Sequence, residues 1–99
     1  MKTIHYDPMK RKLLLEDKTR AIDLELVKQM ILIGEVVDVV RHPSRIHQKI
    51  FILDYKGYCA AVPFVENDDE IFLKTAYHSR AFEALYFANR NSHENCNSS

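Results

Sequence analysis

Apolar and polar positions along the chain change period several times, and each change marks an element. Residues 2–6 alternate and read as a short strand, ended by Asp7-Pro8 because proline biases the residue before it away from helix. Residues 9–17 read as a short helix with an apolar patch at Leu13, Leu14 and Leu15. A clearer helix follows. Asp23 stands as an N-cap, Leu26, Val27, Met30 and Ile31 recur at helical spacing, and Gly34 sits where the helix should stop. Beyond Gly34 the period becomes two, as in a strand. Val37 and Val39 flank Asp38 in a strand over 35–40, and residues 41–47 form a loop containing Pro43 and Ser44. Residues 49–55 are a β-rich strand that Lys56-Gly57 turns back into 58–65, and a polar turn over 66–69 leads to a last strand over 71–77. Pro63 cannot donate to a ladder, so its strand is expected at a sheet edge or with a bulge. Ser79 caps a final helix with Phe82, Leu85 and Tyr86 on one face.

The order is β-α-α-β-β-β-β-α. It predicts an α+β fold: two N-terminal helices on a mostly antiparallel sheet, followed by a C-terminal helix. Residues 1–88 fit one domain, and 89–99 form a polar tail with little to bury, expected to be disordered. Phe51, Phe64, Phe72, Phe82 and Leu85 are expected in the core, as is Cys59, a small buried hydrophobe rather than a nucleophile.

Composition narrows the function classes. No apolar run approaches the roughly 20 residues of a membrane-spanning helix, and the opening residues lack an apolar stretch of signal-peptide length. Cys59 and Cys96 do not make a disulfide framework, and CxxC and HExxH spacings are missing, so no metal or other cofactor is expected. A reduced, cytoplasmic protein with no membrane partner is the simple reading.

The formal net charge is zero, so any polyanion must be recognised by local patches. From Val39 to Leu53 there is no acid, while Arg41, Arg45, Lys49, His42 and His47 fall in that stretch. A second basic cluster comprises Lys10, Arg11, Lys12, Lys18 and Arg20, and acids gather at Glu66, Asp68, Asp69 and Glu70.

Several blocks resemble the BrnT-type toxins of the RelE superfamily. Tyr6-Asp7-Pro8-Met9-Lys10 is similar to their aromatic-Asp-Pro-x-Lys start, and Ile22-Asp23-Leu24-Glu25 with Ile33-Gly34-Glu35-Val36 to their helix and glycine exit. Gln48-Lys49-Ile50-Phe51, Gly57-Tyr58, Val62-Pro63-Phe64-Val65-Glu66 and Ile71–Tyr77 leading into Ser79-Arg80 resemble one BrnT-like subgroup. The family's Lys-His-Gly after the first helix is replaced by Lys18-Thr19-Arg20, and His78 stands where the subgroup often has proline. The resemblance implies a metal-independent endoribonuclease, the toxin of a type II toxin–antitoxin pair. Its implied partners are a cognate ribbon-helix-helix antitoxin, RNA and the ribosome, with operator DNA reached only through the antitoxin. A non-catalytic, toxin-like binding module is the alternative.

RNA carries its own nucleophile, the 2′-hydroxyl, so cleavage needs a base, an acid and cations for the charge that builds on phosphorus. Arg80 follows Ser79 at a helix start and is the first candidate for the phosphate. Lys74 in the last strand and His47 in the acid-free stretch complete the expected catalytic set, with His47 the proton-transfer group. Lys49, Arg41, Lys18 and Lys10 are expected to hold RNA backbone, and Tyr77 to stack on a base or lie in the core. His42 and His78 are further candidates. The site would be one cationic pocket built from the last strand, the Ser79-Arg80 corner and residues 41–49.

Overall fold

A computed structural model describes residues 2–87 of the chain. The expected polar tail and Cys96 lie outside the described residues. The elements run β1 (Thr3–Tyr6), α1 (Pro8–Glu16), α2 (Leu24–Leu32), β2 (Asp38–Arg41), β3 (Lys49–Tyr55), β4 (Tyr58–Glu66), β5 (Glu70–Leu73), β6 (Tyr77–His78) and α3, described over residues 80–87. The α+β architecture is the expected one. One sheet has the order β1-β5-β4-β3-β2, with β6 paired to β4. All pairs are antiparallel except β1 with β5.

Local chemistry explains the boundaries. The Asp7 carboxylate accepts from Met9 N at 2.9 Å and Pro8 opens α1, where its missing N–H costs nothing. Gly34 ends α2 with φ at +82°, a left-handed conformation that favours glycine. Lys56 and Gly57 both have positive φ, as a two-residue hairpin between right-twisted strands requires, and the Asp54 carboxylate accepts from Gly57 N at 3.0 Å.

Alternation along the strands sorts the apolar residues into two cores. Phe51, Leu53, Tyr55, Ala60, Val62 and Phe64 join Ile4, Leu14, Ile22, Leu24 and Val27 beneath α1 and α2. Ile50, Ile52, Cys59 and Ala61 point the other way and are covered by α3 through Phe82, Tyr86 and Phe87. The helices therefore lie on both faces of the sheet. Cys59 is buried as expected, and so are Phe51 and Phe64, with Phe82 packed at the edge of its cluster. Phe72 and Leu85 are not core. They are 38% and 70% exposed, Phe72 because none of the described helices covers β5 on the α3 side and Leu85 because it faces away from the sheet.

The expected strand over 71–77 is broken into β5 and β6. Leu73 and Ala76 both enter the α1–α2 core, which one continuous strand could not do at a spacing of three. Pro63 explains the break. It lies in central β4, not at an edge, and its carbonyl accepts from Lys74 N at 2.8 Å. A residue's N–H and C=O point to the same side of a strand, so the missing donor of Pro63 falls opposite the gap between β5 and β6. The neighbouring strand yields instead of β4 bulging. The strand expected over 35–40 also starts late, at Asp38, and runs through Arg41, taking that residue out of the loop.

Asp23 ties three elements together. Its side chain accepts from Glu25 N at 2.9 Å and takes both Nε (2.7 Å) and Nη2 (3.2 Å) of Arg11 on α1, while its own N–H donates to Tyr55 Oη at 3.0 Å. The Arg11 guanidinium holds the Asp23 carboxyl below its ordinary range against the opposing effect of burial. A lowered folded-state value means this stabilisation is complete above the unfolded value near 4. It is lost as pH falls through the folded value. Asp23→Ala is expected to cost about 1–2 kcal/mol through the lost cap and the unpaired arginine. Asp23→Asn keeps a cap but flattens the acid-side decline of urea midpoints measured from neutral pH to pH 3; an unchanged decline would place the acid sensitivity elsewhere.

Candidate functional site at the corner between β6 and α3

The corner begins with β6. His78 pairs with Ala60 and Tyr77 with Ala61. Alternation sends Tyr77 into the α3-side core and His78 to the α1–α2 side, where its ring meets Tyr58 at 5.4 Å between centroids. His78 Nε2 lies 2.9 Å from the carbonyl oxygen of Arg20. A carbonyl only accepts, so Nε2 carries the hydrogen and Nδ1 of the neutral ring keeps its lone pair.

The Arg20 carbonyl is held in place by a tight loop after α1. The Asp17 carboxylate accepts from Thr19 N and Thr19 Oγ1 at 2.9 and 2.6 Å, and the Asp17 carbonyl accepts from Ala21 N at 2.8 Å. Hydrogen bonds from Thr19 push the Asp17 carboxyl below its ordinary value. Ala21 sits at φ +47°, a conformation that costs an alanine roughly 1 kcal/mol and persists because Asp17 and the buried Ile22 fix both sides of it.

Ser79 turns the chain into α3. Its N–H donates to the Cys59 carbonyl at 3.1 Å, and its Oγ accepts from Phe82 N at 3.2 Å, so the expected cap is present. Arg80 follows at the helix start, and among the described residues it makes no ion pair. Tyr58, Cys59, His78, Ser79, Arg80 and Glu83 line a hollow of about 320 Å³. Tyr58 is 61% exposed at its rim. A proton acceptor, a fork of N–H donors and an aromatic face thus share one opening. Such a set can bind a phosphodiester and move a proton.

Cys59 lines the same hollow but is not its nucleophile. Burial pushes its thiol up to about 11, with Glu83 and Asp54 adding to the rise. Iodoacetamide at pH 8 is expected to label Cys59 at least about tenfold more slowly than a free thiol, read by peptide mass mapping so that Cys96 is scored separately. Labelling at the free-thiol rate would mean the corner opens in solution.

The other expected site residues are elsewhere. Lys49 pairs in register with Phe64, whereas Cys59 pairs with Asp54. That offset of five residues is roughly 17 Å along the strand. Arg41 lies opposite Lys49, and His47 is exposed in the loop just before it, so all three sit at the far end of the sheet from Arg80. Lys49 Nζ is bound to Glu66 Oε1 at 2.9 Å, and Lys2 holds the other oxygen at 3.2 Å. Those lysines keep the Glu66 carboxyl below its ordinary value. Lys74 is fixed at the level of Pro63 and lays its Nζ 5.6 Å from the centroid of the Phe72 ring. Tyr77 faces the core on the opposite side from His78, so it does not stack on a base bound at the corner. Lys18 lies in the loop that presents the Arg20 carbonyl, while Lys10 is in the first turn of α1, about 12 Å along the helix axis from it. His42 is engaged locally, its Nδ1 accepting from Ser44 N and Arg45 N at 3.1 Å each.

The single cationic pocket expected from the sequence is therefore not assembled. Arg80, His78 and the Lys18 loop meet; His47, Lys49, Arg41 and Lys74 do not join them. Tyr58 and the Arg20 carbonyl were missed as site groups. Alternation from Ala60 could have placed Tyr58 on the side of His78, but a backbone carbonyl leaves no trace in residue identity. Compared with known protein families, curated proteins and solved structures, the chain matches none.

Proposed function

We propose that the chain is a metal-independent endoribonuclease acting at the His78–Arg80 corner, the toxin of a type II toxin–antitoxin pair in the cytoplasm. One observation carries the reading: a histidine whose Nε2 is committed to the Arg20 carbonyl shares a hollow with an arginine that makes no ion pair among the described residues. Motif support comes from the BrnT-like block 71–80, which ends at this arginine. Nδ1 of His78 takes the proton of the 2′-hydroxyl, whose oxygen then bonds to phosphorus. Arg80 and the first N–H groups of α3 stabilise the charge on the phosphoryl oxygens. The bond from phosphorus to the 5′-oxygen breaks, and that oxygen leaves with a proton from water at the open mouth. The products are a 2′,3′-cyclic phosphate and a 5′-hydroxyl. Tyr58 offers a face on which a flanking base stacks. A ribbon-helix-helix antitoxin is the proposed inhibitor, and operator DNA is reached through it.

Glu83 favours a second reading. A carboxylate on the same lining repels a phosphate and suits a non-catalytic corner that acts through a partner. Incubating the purified chain with a transcript in EDTA separates the two. Fragments ending in cyclic or 3′-phosphate support the nuclease; an intact transcript after hours, with partner binding retained, supports the module.

A further inference from the structure

Strand β1 forms one edge of the sheet. Thr3 N donates to the carbonyl of Asp69, just before β5, at 3.0 Å, so the main-chain groups of Thr3 and His5 point inward. Those of Ile4 and Tyr6 then point away from β5, to the open side. That side is not bare. A groove of about 520 Å³ runs between the β1 edge and α1, lined by Ile4, His5, Tyr6 and Pro8, by Arg11, Lys12, Leu15 and Glu16, and by Lys28 of α2.

Its charge is net positive. Arg11 is satisfied by Asp23 and the Tyr6 hydroxyl by Glu25, whose oxygen it reaches at 2.6 Å. Lys12 and Lys28 make no ion pair among the described residues, and Glu16 is the carboxylate that opposes them on the lining. Leu15 is apolar and exposed there, because Leu14 is the α1 leucine turned into the core. The groove thus offers unpaired main-chain donors and acceptors, an apolar wall and two ammonium groups.

We infer that this groove docks an extended segment of a partner protein, added as a further strand on β1, with apolar and acidic side chains together on the face turned toward the helices. Main-chain bonds to Ile4 and Tyr6 supply affinity, and an apolar side chain lies against Leu15. Carboxylates meet Lys12 and Lys28, which sets the sign of the partner and steers its approach. The opposite edge differs: among the described residues, those lining the hollow nearest β2 include Glu35 and Asp54 but no lysine or arginine. The inference holds whether or not the His78 corner cuts RNA.

The test uses the full chain and a short synthetic peptide repeating Glu-Thr-Val-Thr, which places Glu and Val on one face of a strand. Titration followed by NMR is expected to be saturable, with the amide resonances of Ile4 and Tyr6 among those that move. N-methylation of alternate peptide nitrogens abolishes it. The double variant Lys12→Glu, Lys28→Glu, both on helix surfaces, weakens the acidic peptide by about tenfold or more and strengthens a Lys-Thr-Val-Thr peptide in return. The swap keeps the experiment readable, since a misfolded variant would bind neither peptide. Several outcomes overturn the inference: no saturation at millimolar peptide, affinity indifferent to charge reversal, shifts mapping to Asp38–Arg41, or self-association of the chain that buries the groove.

Discussion

Arg80→Ala is expected to slow RNA cleavage by about 100- to 1000-fold, the loss typical when one preorganised donor to a developing oxyanion is removed. The reasoning is geometric. Arg80 lies at the start of α3, where the Ser79 cap leaves other N–H groups pointing outward, and no carboxylate ties it within 4 Å among the described residues. Arg80→Lys keeps the charge and loses the fork, so a partial loss is expected. His78→Ala is expected to cost about 100- to 10,000-fold through the missing base. Lys74→Ala, His47→Ala and Lys49→Ala stay within about threefold of the parent, since roughly 14–17 Å of strand separates their ends of the sheet from the corner. Initial rates on a labelled transcript in EDTA measure all six variants, with urea midpoints to show that each is folded. The reverse pattern, an active Arg80→Ala beside an inactive Lys49→Ala, would move the site to the Glu66 end of the sheet.

Phe64→Ala is expected to remove about 3–5 kcal/mol of stability, a large part of the 5–15 kcal/mol typical of such a domain. Phe64 is 2% exposed and stacks on Phe51 with centroids 4.0 Å apart and planes at 17°. It pairs in register with Lys49 of β3 and Leu73 of β5, so it is wedged where three strands meet under α2. Deleting the ring removes its transfer free energy and leaves a cavity that three paired backbones cannot close. At about 4–8 °C per kcal/mol, Tm falls by on the order of 15–30 °C. Phe72→Ala is the control. Its ring is exposed at the sheet surface, with Lys74 Nζ 5.6 Å from its centroid, and about 1 kcal/mol or less is expected. Equal losses at the two positions would mean that the main core is not the one under α1 and α2.

The elements were largely legible in the sequence because their ends are decided locally. Asp7-Pro8, Asp23, Gly34, Lys56-Gly57 and Ser79 each act through a cap or a φ that the neighbouring residues cannot change. The strand over 71–77 was misread for a reason that is not local. Pro63 announces a missing donor, but whether its own strand bulges or the neighbour breaks depends on which backbone lies beside it. The same holds for Lys74. A continuous strand would have put it in phase with Ala76 and His78, and the break places it over Phe72 instead.

The candidate site was half legible. Ser79-Arg80 carried its own signal in the cap, and His78 was adjacent to it. The basic run from Arg41 to Lys49 looked like part of the same pocket because proximity in sequence to a strand says nothing about which end of the sheet that strand presents. What the sequence determined alone was the set of elements, their turns and the apolar stripes, all properties of chain segments shorter than about fifteen residues. The tertiary structure decided the parallel seat of β1, the face taken by α3, and the meeting of His78 with a carbonyl 58 residues away. Those depend on pairings between distant segments, whose free energy no single segment encodes.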